Sequence, residues 1–189
     1  TGEDVTVGGY NVNVAGITAN NATSNAGAAA LTLTAENDLT IAGDLAISAN
    51  SDDVVLSSTT NSITQSSGDI TTAGDVTISA ANDAWQNGSI GGSAPIGGNV
   101  SITTGDDASV NDIAANRIIA RVAGLLTESG DDAGIDLQAN LIDLAAAEGI
   151  GIQGNPADSS DIDNPIEISG APALVTGTYT ADGSKATYT

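Results

Sequence analysis

Asp38 to Ala49 reads DLTIAGDLAISA, and Asp69 to Ala80 reads DITTAGDVTISA. Only Leu/Ile, Ile/Thr, Leu/Val and Ala/Thr exchanges separate the two stretches. Within each, apolar and polar residues alternate: Leu39-Thr40-Ile41, Leu45-Ala46-Ile47, Val76-Thr77-Ile78. A period of two places the apolar side chains on one face of a β-strand and the polar ones on the other. The Gly-Asp between runs is turn chemistry. A strand, a corner and a second strand within twelve residues is the unit that decides the fold.

The same alternation runs outward in both directions, through Val5-Thr6-Val7, Val12-Asn13-Val14, Leu31-Thr32-Leu33, Val100-Ser101-Ile102, Ile135-Asp136-Leu137 and Ile166-Glu167-Ile168. A looser unit follows Gly43, Gly74, Gly98 and Gly134. Its copies are unevenly spaced, unlike the blades of a propeller or the units of a leucine-rich repeat. A β-helix tolerates uneven spacing, because extra residues bulge from a corner without disturbing the stack. The predicted fold is all-β: an elongated right-handed parallel β-helix (a β-solenoid) with hairpin-like terminal segments. With roughly 20–25 residues per turn, it has about 7–9 turns. Residues 1–29 read as N-terminal strands or a cap, 30–170 as β-helix rungs, and 171–189 as a C-terminal hairpin or strand extension. Val5 to Val14 reads as a hairpin turning at Gly8-Gly9. Ala181-Asp182-Gly183-Ser184 is the turn of a second hairpin. Ala114 to Leu126 (AANRIIARVAGLL) reads equally as a short helix or as strands with both faces buried.

Composition fits a narrow core. Aromatic residues make up 2% of the 189, and Cys, Met, His and Phe are absent. Val, Ile, Leu and Ala remain to fill thin stacked layers. The formal charge is −21, from 24 acidic and 3 basic residues. Phosphate neutralisation needs Lys and Arg, so nucleic acid is not a partner. No run of 18 apolar residues exists to insert into a membrane as a helix. The chain starts at Thr1 with no visible signal peptide, which reads as a processed protein or an excised piece of a longer one.

GDLAISA, GDVTISA and GNVSITT resemble the rungs of filamentous-haemagglutinin-like adhesins exported by two-partner secretion. Gly124-Leu125-Leu126-Thr127 through Ile135-Asp136-Leu137, Ala147 to Gly151, and Asn164 to Ile168 are similar to stretches of giant members of that family. The likeness covers about Ala30 to Gly170. The family's amino-terminal secretion domain with its Asn-Pro-Asn motif is not present, and Asn155-Pro156 and Asn164-Pro165 lack the following Asn. The resemblance implies a secreted location, extracellular or on a bacterial cell surface. It also implies a non-catalytic role in attachment, biofilm cohesion or display. The partner is then a host or cell-surface glycan or protein, or the chain itself, associating head to tail or laterally. The competing expectation is a filament protomer joined through its terminal strands, with Tyr10, Tyr179 and Tyr188 at the assembly or capping ends. A polysaccharide-acting enzyme is the remote alternative. Asp52-Asp53, Asp106-Asp107 and Asp131-Asp132 would be its carboxylates, but no His or Cys exists for nucleophilic chemistry.

No cofactor is required. Calcium is the ion that clustered carboxylates suit, and Asp158, Asp161 and Asp163 lie within six residues. The competing reading of these acids is solvated turns. Trp85, which Asn82-Asp83 and Asn87-Gly88 place in a loop, is a candidate for stacking on a sugar ring, set against a Trp that covers the edge of an Ala-rich core.

Overall fold

The computed structural model describes residues 5–20, 31–48, 53–92, 94–129, 134–151, 166, 168–169, 177–181 and 184–188. The chain winds through coils of three short strands. The first coil holds β1 (Val5–Gly9), β2 (Val12–Val14) and β3 (Ile17–Asn20), and the second β4 (Leu31–Ala35), β5 (Leu39–Ile41) and β6 (Leu45–Ser48). Then come β7 (Val54–Ser58), β8 (Ile63–Gln65) and β9 (Asp69–Thr71), followed by β10 (Val76–Ala80), β11 (Ala84–Gln86) and β12 (Ser89–Ile90). The next coil has β13 (Asn99–Thr104), β14 (Ala108–Val110) and β15 (Ile113–Ala114), and the one after it β16 (Arg117–Val122), β17 (Leu125–Glu128) and β18 (Leu137–Gln138). The last has β19 (Leu141–Ala146), β20 (Gly149–Ile150) and β21 (Ile168–Ser169). Three parallel sheets of seven strands result, each taking every third strand. The first runs from β1 to β19, the second from β2 to β20 and the third from β3 to β21. The protein is a parallel β-helix, and no helix occurs among the described residues.

Register is kept without a fixed period. Val5, Leu31, Val54, Val76, Val100, Ile118 and Ile142 occupy one column of the first sheet. Their intervals run from 18 to 26 residues, and corners absorb the difference. The column from Leu31 to Ile142 is buried, as is its neighbour Leu33, Leu56, Ile78, Ile102, Ala120 and Leu144. The third inward position, where the chain turns towards the second sheet, takes small residues: Ala35, Ser58, Ala80, Thr104, Val122 and Ala146. A narrowing core explains the abundant Ala. The turn from second to third sheet brings coils into closest contact. A Cβ at Gly43 would lie 1.8 Å from the Ala15 carbonyl oxygen, and Gly68 has φ +84°. Neither position accepts a side chain.

Three points go against or beyond these readings. β1 and β2 do not form a hairpin; each joins a different sheet, in parallel with β4 and β5. Sheet pairing to the next coil satisfies more backbone than a two-strand ribbon would. Ala114 to Leu126 is not helical. It runs through the end of β15, β16 and the start of β17, and Ile118, Ala120 and Val122 face the core while Arg117 and Arg121 face outward. Finally, the two twelve-residue copies do not stack on each other. Asp38–Ala49 spans the second and third sheets, and Asp69–Ala80 the third and first. At the C-terminal end, β22 (Gly177–Ala181) and β23 (Ser184–Tyr188) form the expected antiparallel hairpin.

Leu56 is fully buried between Leu33 and Ile78, so it tests the core. Leu56→Ala is expected to lower unfolding free energy by about 2–5 kcal/mol in urea melts. Thr77→Ala, on the outward face of the same sheet, should change it by less than about 0.5 kcal/mol.

Candidate functional site

Most of the described Asp residues lie at the corners, and the reason is the backbone. A residue just before a strand has an N–H that the strand ladder does not use, and a buried or crowded N–H needs an acceptor. The side chain one coil earlier supplies it. Before the first sheet, Asp53 Oδ1 accepts from the Asp75 N–H at 2.8 Å, and Asp75 Oδ1 from the Asn99 N–H at 2.8 Å. Before the second sheet, Asn11 Oδ1 accepts from the Asp38 N–H at 3.2 Å and Ser62 Oγ from the Asp83 N–H at 3.3 Å. In the same column Asp83 Oδ1 accepts from the Asp107 N–H at 3.2 Å, and Asp107 Oδ1 from the Leu125 N–H at 2.7 Å. Before the third sheet, Asp44 Oδ1 accepts from the Asp69 N–H at 3.0 Å. Carbonyls run the opposite way: the Val54 N–H donates to Asp75 O and the Ala84 N–H to Asp107 O.

Asp83, Asp106 and Asp107 form the densest acidic group, each with one carboxylate oxygen within 4.8 Å of the others. Such oxygens suit a hard cation. Asp83 Oδ2 also accepts from the Ser62 hydroxyl at 3.3 Å, so Asp83 and Asp107 both have structural work besides. Asp53 belongs to a corner column too. Asp158, Asp161 and Asp163, like Asp52 and Asp131-Asp132, lie outside the described residues.

Trp85 stands on β11, not in a loop. Its side chain is on the outward face, 37% exposed, between Thr64 and Ser109 of the adjacent strands. It points away from the core that Ala84 and Gln86 enter. Thr40 and Thr127 extend the same outward column. Tyr10 is 66% exposed, at the bend between β1 and β2. Tyr179 lies on β22 opposite Ala186, and Tyr188 on β23 opposite Gly177.

Two buried side chains were missed by the sequence reading. Gln65 and Gln86 stack inward in neighbouring strands. Gln65 Nε2 donates to Gly68 O at 2.7 Å and Ser89 O at 3.2 Å, and Gln86 Nε2 to Gly88 O at 2.9 Å and Asn111 O at 2.6 Å. Gln86 Oε1 also accepts from the Asn111 N–H at 2.9 Å. They tie the corner into the core. The signal was present, since Ile63-Thr64-Gln65 and Ala84-Trp85-Gln86 both put Gln in an inward register.

Pro95 and Ile96, between β12 and β13, border a groove of about 280 Å³. Pro95, Ile96, Ala115, Asn116, Gln138, Ala139 and Asn140 line it, with no ionisable side chain among them. On the far corner, Asp112 has φ +36°, a left-handed backbone that Asp and Asn tolerate better than most residues. Partial loss of solvation there, and then the Asp69 carboxylate, push the Asp112 carboxyl above its ordinary value.

Asp107→Ala is expected to cost about 1–3 kcal/mol by leaving the Leu125 N–H without its acceptor, while Asp107→Asn keeps an oxygen there and costs much less. Chemical denaturation of both variants, with and without millimolar calcium, checks this. Equal damage from both variants only when calcium is present would mark an ion-holding role. Asp112 works with the opposite sign. Its raised folded-state pKa means that the folded protein binds the proton more tightly than the unfolded chain, so this group adds stability as pH falls through that value. Asp112→Asn should therefore melt higher than the parent at neutral pH. The gain should shrink on acidification and vanish below the ordinary Asp pKa, as thermal melts across acid pH would show.

The chain matches no protein-family model, no curated protein and no solved structure.

Proposed function

We propose that this chain is a non-catalytic structural segment of an extracellular or cell-surface protein. It is a stiff stack of coils that spaces and presents a binding face, as an adhesin or matrix element does. The observation that carries the reading is the use of the corner acids. Asp44, Asp53, Asp75, Asp83 and Asp107 each bond the backbone of the next coil, so their placement follows from stacking. Paired carboxylates flanking a substrate cleft are what glycoside hydrolysis requires. Here the described groove is lined by amides and alkyl groups.

The outward face of the second sheet supports the presenting role. Trp85 offers a partly exposed aromatic ring on a rigid strand, between the half-buried Thr64 and the buried Ser109. Such a ring suits the C–H face of a sugar. The filament reading draws on β1, which pairs with β4 alone among the described residues, but head-to-tail growth also needs a matching edge at the far end. There Ile142 and Leu144 are already buried, and β22 lies beside β19 and β20.

Trp85 is the only Trp, so intrinsic fluorescence reports that face alone. Titration with a panel of cell-surface polysaccharides is expected to shift its emission for at least one glycan, without release of reducing ends. Trp85→Ala should weaken that binding by roughly tenfold or more, equivalent to about 1.4 kcal/mol. Sustained release of reducing ends, abolished by replacing a single Asp, would overturn the reading in favour of an enzyme.

A further inference from the structure

The corner between the third and first sheets changes character along the stack. In earlier coils it carries acids, and Asp53 Oδ1 accepts from the Asp75 N–H at 2.8 Å. From Asn99 onward it carries amides. Asn99 Nδ2 donates to Asp75 Oδ1 at 3.1 Å, Asn116 Nδ2 to Asn99 Oδ1 at 3.5 Å, and Asn140 Nδ2 to Asn116 Oδ1 at 3.1 Å. The run of bonds continues while the charge stops. Stacking accepts either kind of side chain, so it does not dictate the change. In a chain with 24 acidic residues, this neutral stretch coincides with the groove.

The groove has a fixed floor. Eight residues separate β12 from β13, whereas two separate β15 from β16 and two separate β18 from β19. Ile96, Ala115 and Ala139 are buried beneath the opening. Their N–H groups donate to Ala114 O, Gln138 O and Ser169 O at 2.9, 3.0 and 3.3 Å, which ties the floor to the stack. Asn116, Gln138 and Asn140 are exposed along the opening. Among the described residues, the Gln138 side-chain amide bonds to nothing, and Asn140 uses one N–H and leaves its Oδ1 free.

This lining selects by charge. With no ionisable side chain in the groove and a net charge of −21, an anion finds no counter-charge there. A cation is better served by the carboxylates of other corners. A peptide adding as a strand needs unpaired backbone, and the floor's N–H groups are taken. A sugar fits on both counts. Its hydroxyls donate and accept, as side-chain amides do, and its C–H face rests on Pro95 and the Ala floor. The volume of about 280 Å³ is near the lower bound for small-ligand sites, about 300 Å³, so only a short stretch of a glycan is held. The lining crosses three coils about 4.8 Å apart, so the glycan runs along the stack axis. We propose that this groove binds a neutral, unbranched oligosaccharide, held by the amides of Asn116, Gln138 and Asn140 over an alkyl floor. The site lies at the one corner that the second sheet does not adjoin, apart from Trp85, so each of the two readings stands if the other fails.

Saturation-transfer NMR and titration calorimetry on the full chain test it. Cellotetraose, xylotetraose, mannotetraose and maltotetraose are the neutral probes, and tetragalacturonate is the acidic control. At least one neutral probe is expected to bind saturably, with an affinity that added salt leaves unchanged, and the control is expected not to bind. Gln138→Ala and Asn140→Ala should each weaken binding about three- to tenfold by removing hydrogen bonds. The double variant should lose more. Both residues are exposed, and circular dichroism melts establish that the variants fold. Trp85→Ala should leave this binding intact. Binding that Trp85→Ala abolishes but the folded double variant keeps overturns the proposal and leaves the Trp85 reading standing. So does a failure of all four neutral probes to bind, or a control that binds as tightly as they do.

Discussion

Every coil of this protein must hydrogen-bond the coil beside it, and the constraint is hardest to meet at the corners. Along the strands, parallel pairing satisfies the backbone at a spacing of about 4.8 Å. Where the chain turns, the ladder is interrupted three times per coil. Side-chain oxygens bridge the gap, each accepting an N–H from the next coil. The acids that do this sit in columns, so like charges lie roughly one strand spacing apart. At that distance two exposed carboxylates repel by about 1 kcal/mol in water, and salt reduces it. A hydrogen bond to a charged acceptor contributes about 1.5–3 kcal/mol. Bonding outweighs repulsion at most corners. Asp112 is where lost solvation, and after it the neighbouring Asp69 carboxylate, leave a trace, in a carboxyl that holds its proton more tightly.

The same constraint shapes the core. Strands of two to six residues enclose a thin interior, and the first two inward columns of the first sheet repeat aliphatic side chains from coil to coil. Large aliphatic residues fill the middle of the first sheet and small ones the turn out of it. Gln65 and Gln86 are among the buried polar side chains, and their amides serve corner carbonyls from the inside as Asp side chains serve amides from the outside.

Fold class was legible in the alternation of Leu39-Thr40-Ile41 and its relatives, because a period of two is dictated by strand geometry. The phase of the coils was not. The repeated dodecamer marks a strand, a corner and a strand, but a three-sided coil contains three such units. Similar residues therefore recur on different sides, and Asp38 and Asp69 belong to different corners. Ala114 to Leu126 misled for a related reason: Arg117 and Arg121, four residues apart, suit one face of a helix and also alternate strand positions. At the candidate site, the acidic turns were legible as turns. That each Asp reaches the next coil was not, since an 18- to 25-residue separation is invisible before the register is known. Trp85 was read as a loop residue because Asn82-Asp83 and Asn87-Gly88 flank it, although the strand between those corners is only three residues long.

The corner device also separates what stacking requires from what it permits. Asn11 serves the Asp38 N–H just as Asp107 serves that of Leu125, and Asn11 carries no charge. Ser62 does the same with a hydroxyl. A neutral side chain therefore suffices, and the preference for Asp over most of the stack is a choice about the surface. A net charge of −21 on a stack roughly 30 Å long keeps its sides from associating with other acidic bodies. Because a neutral acceptor satisfies the backbone as well as a carboxylate does, folding alone does not explain why most of these corners carry Asp.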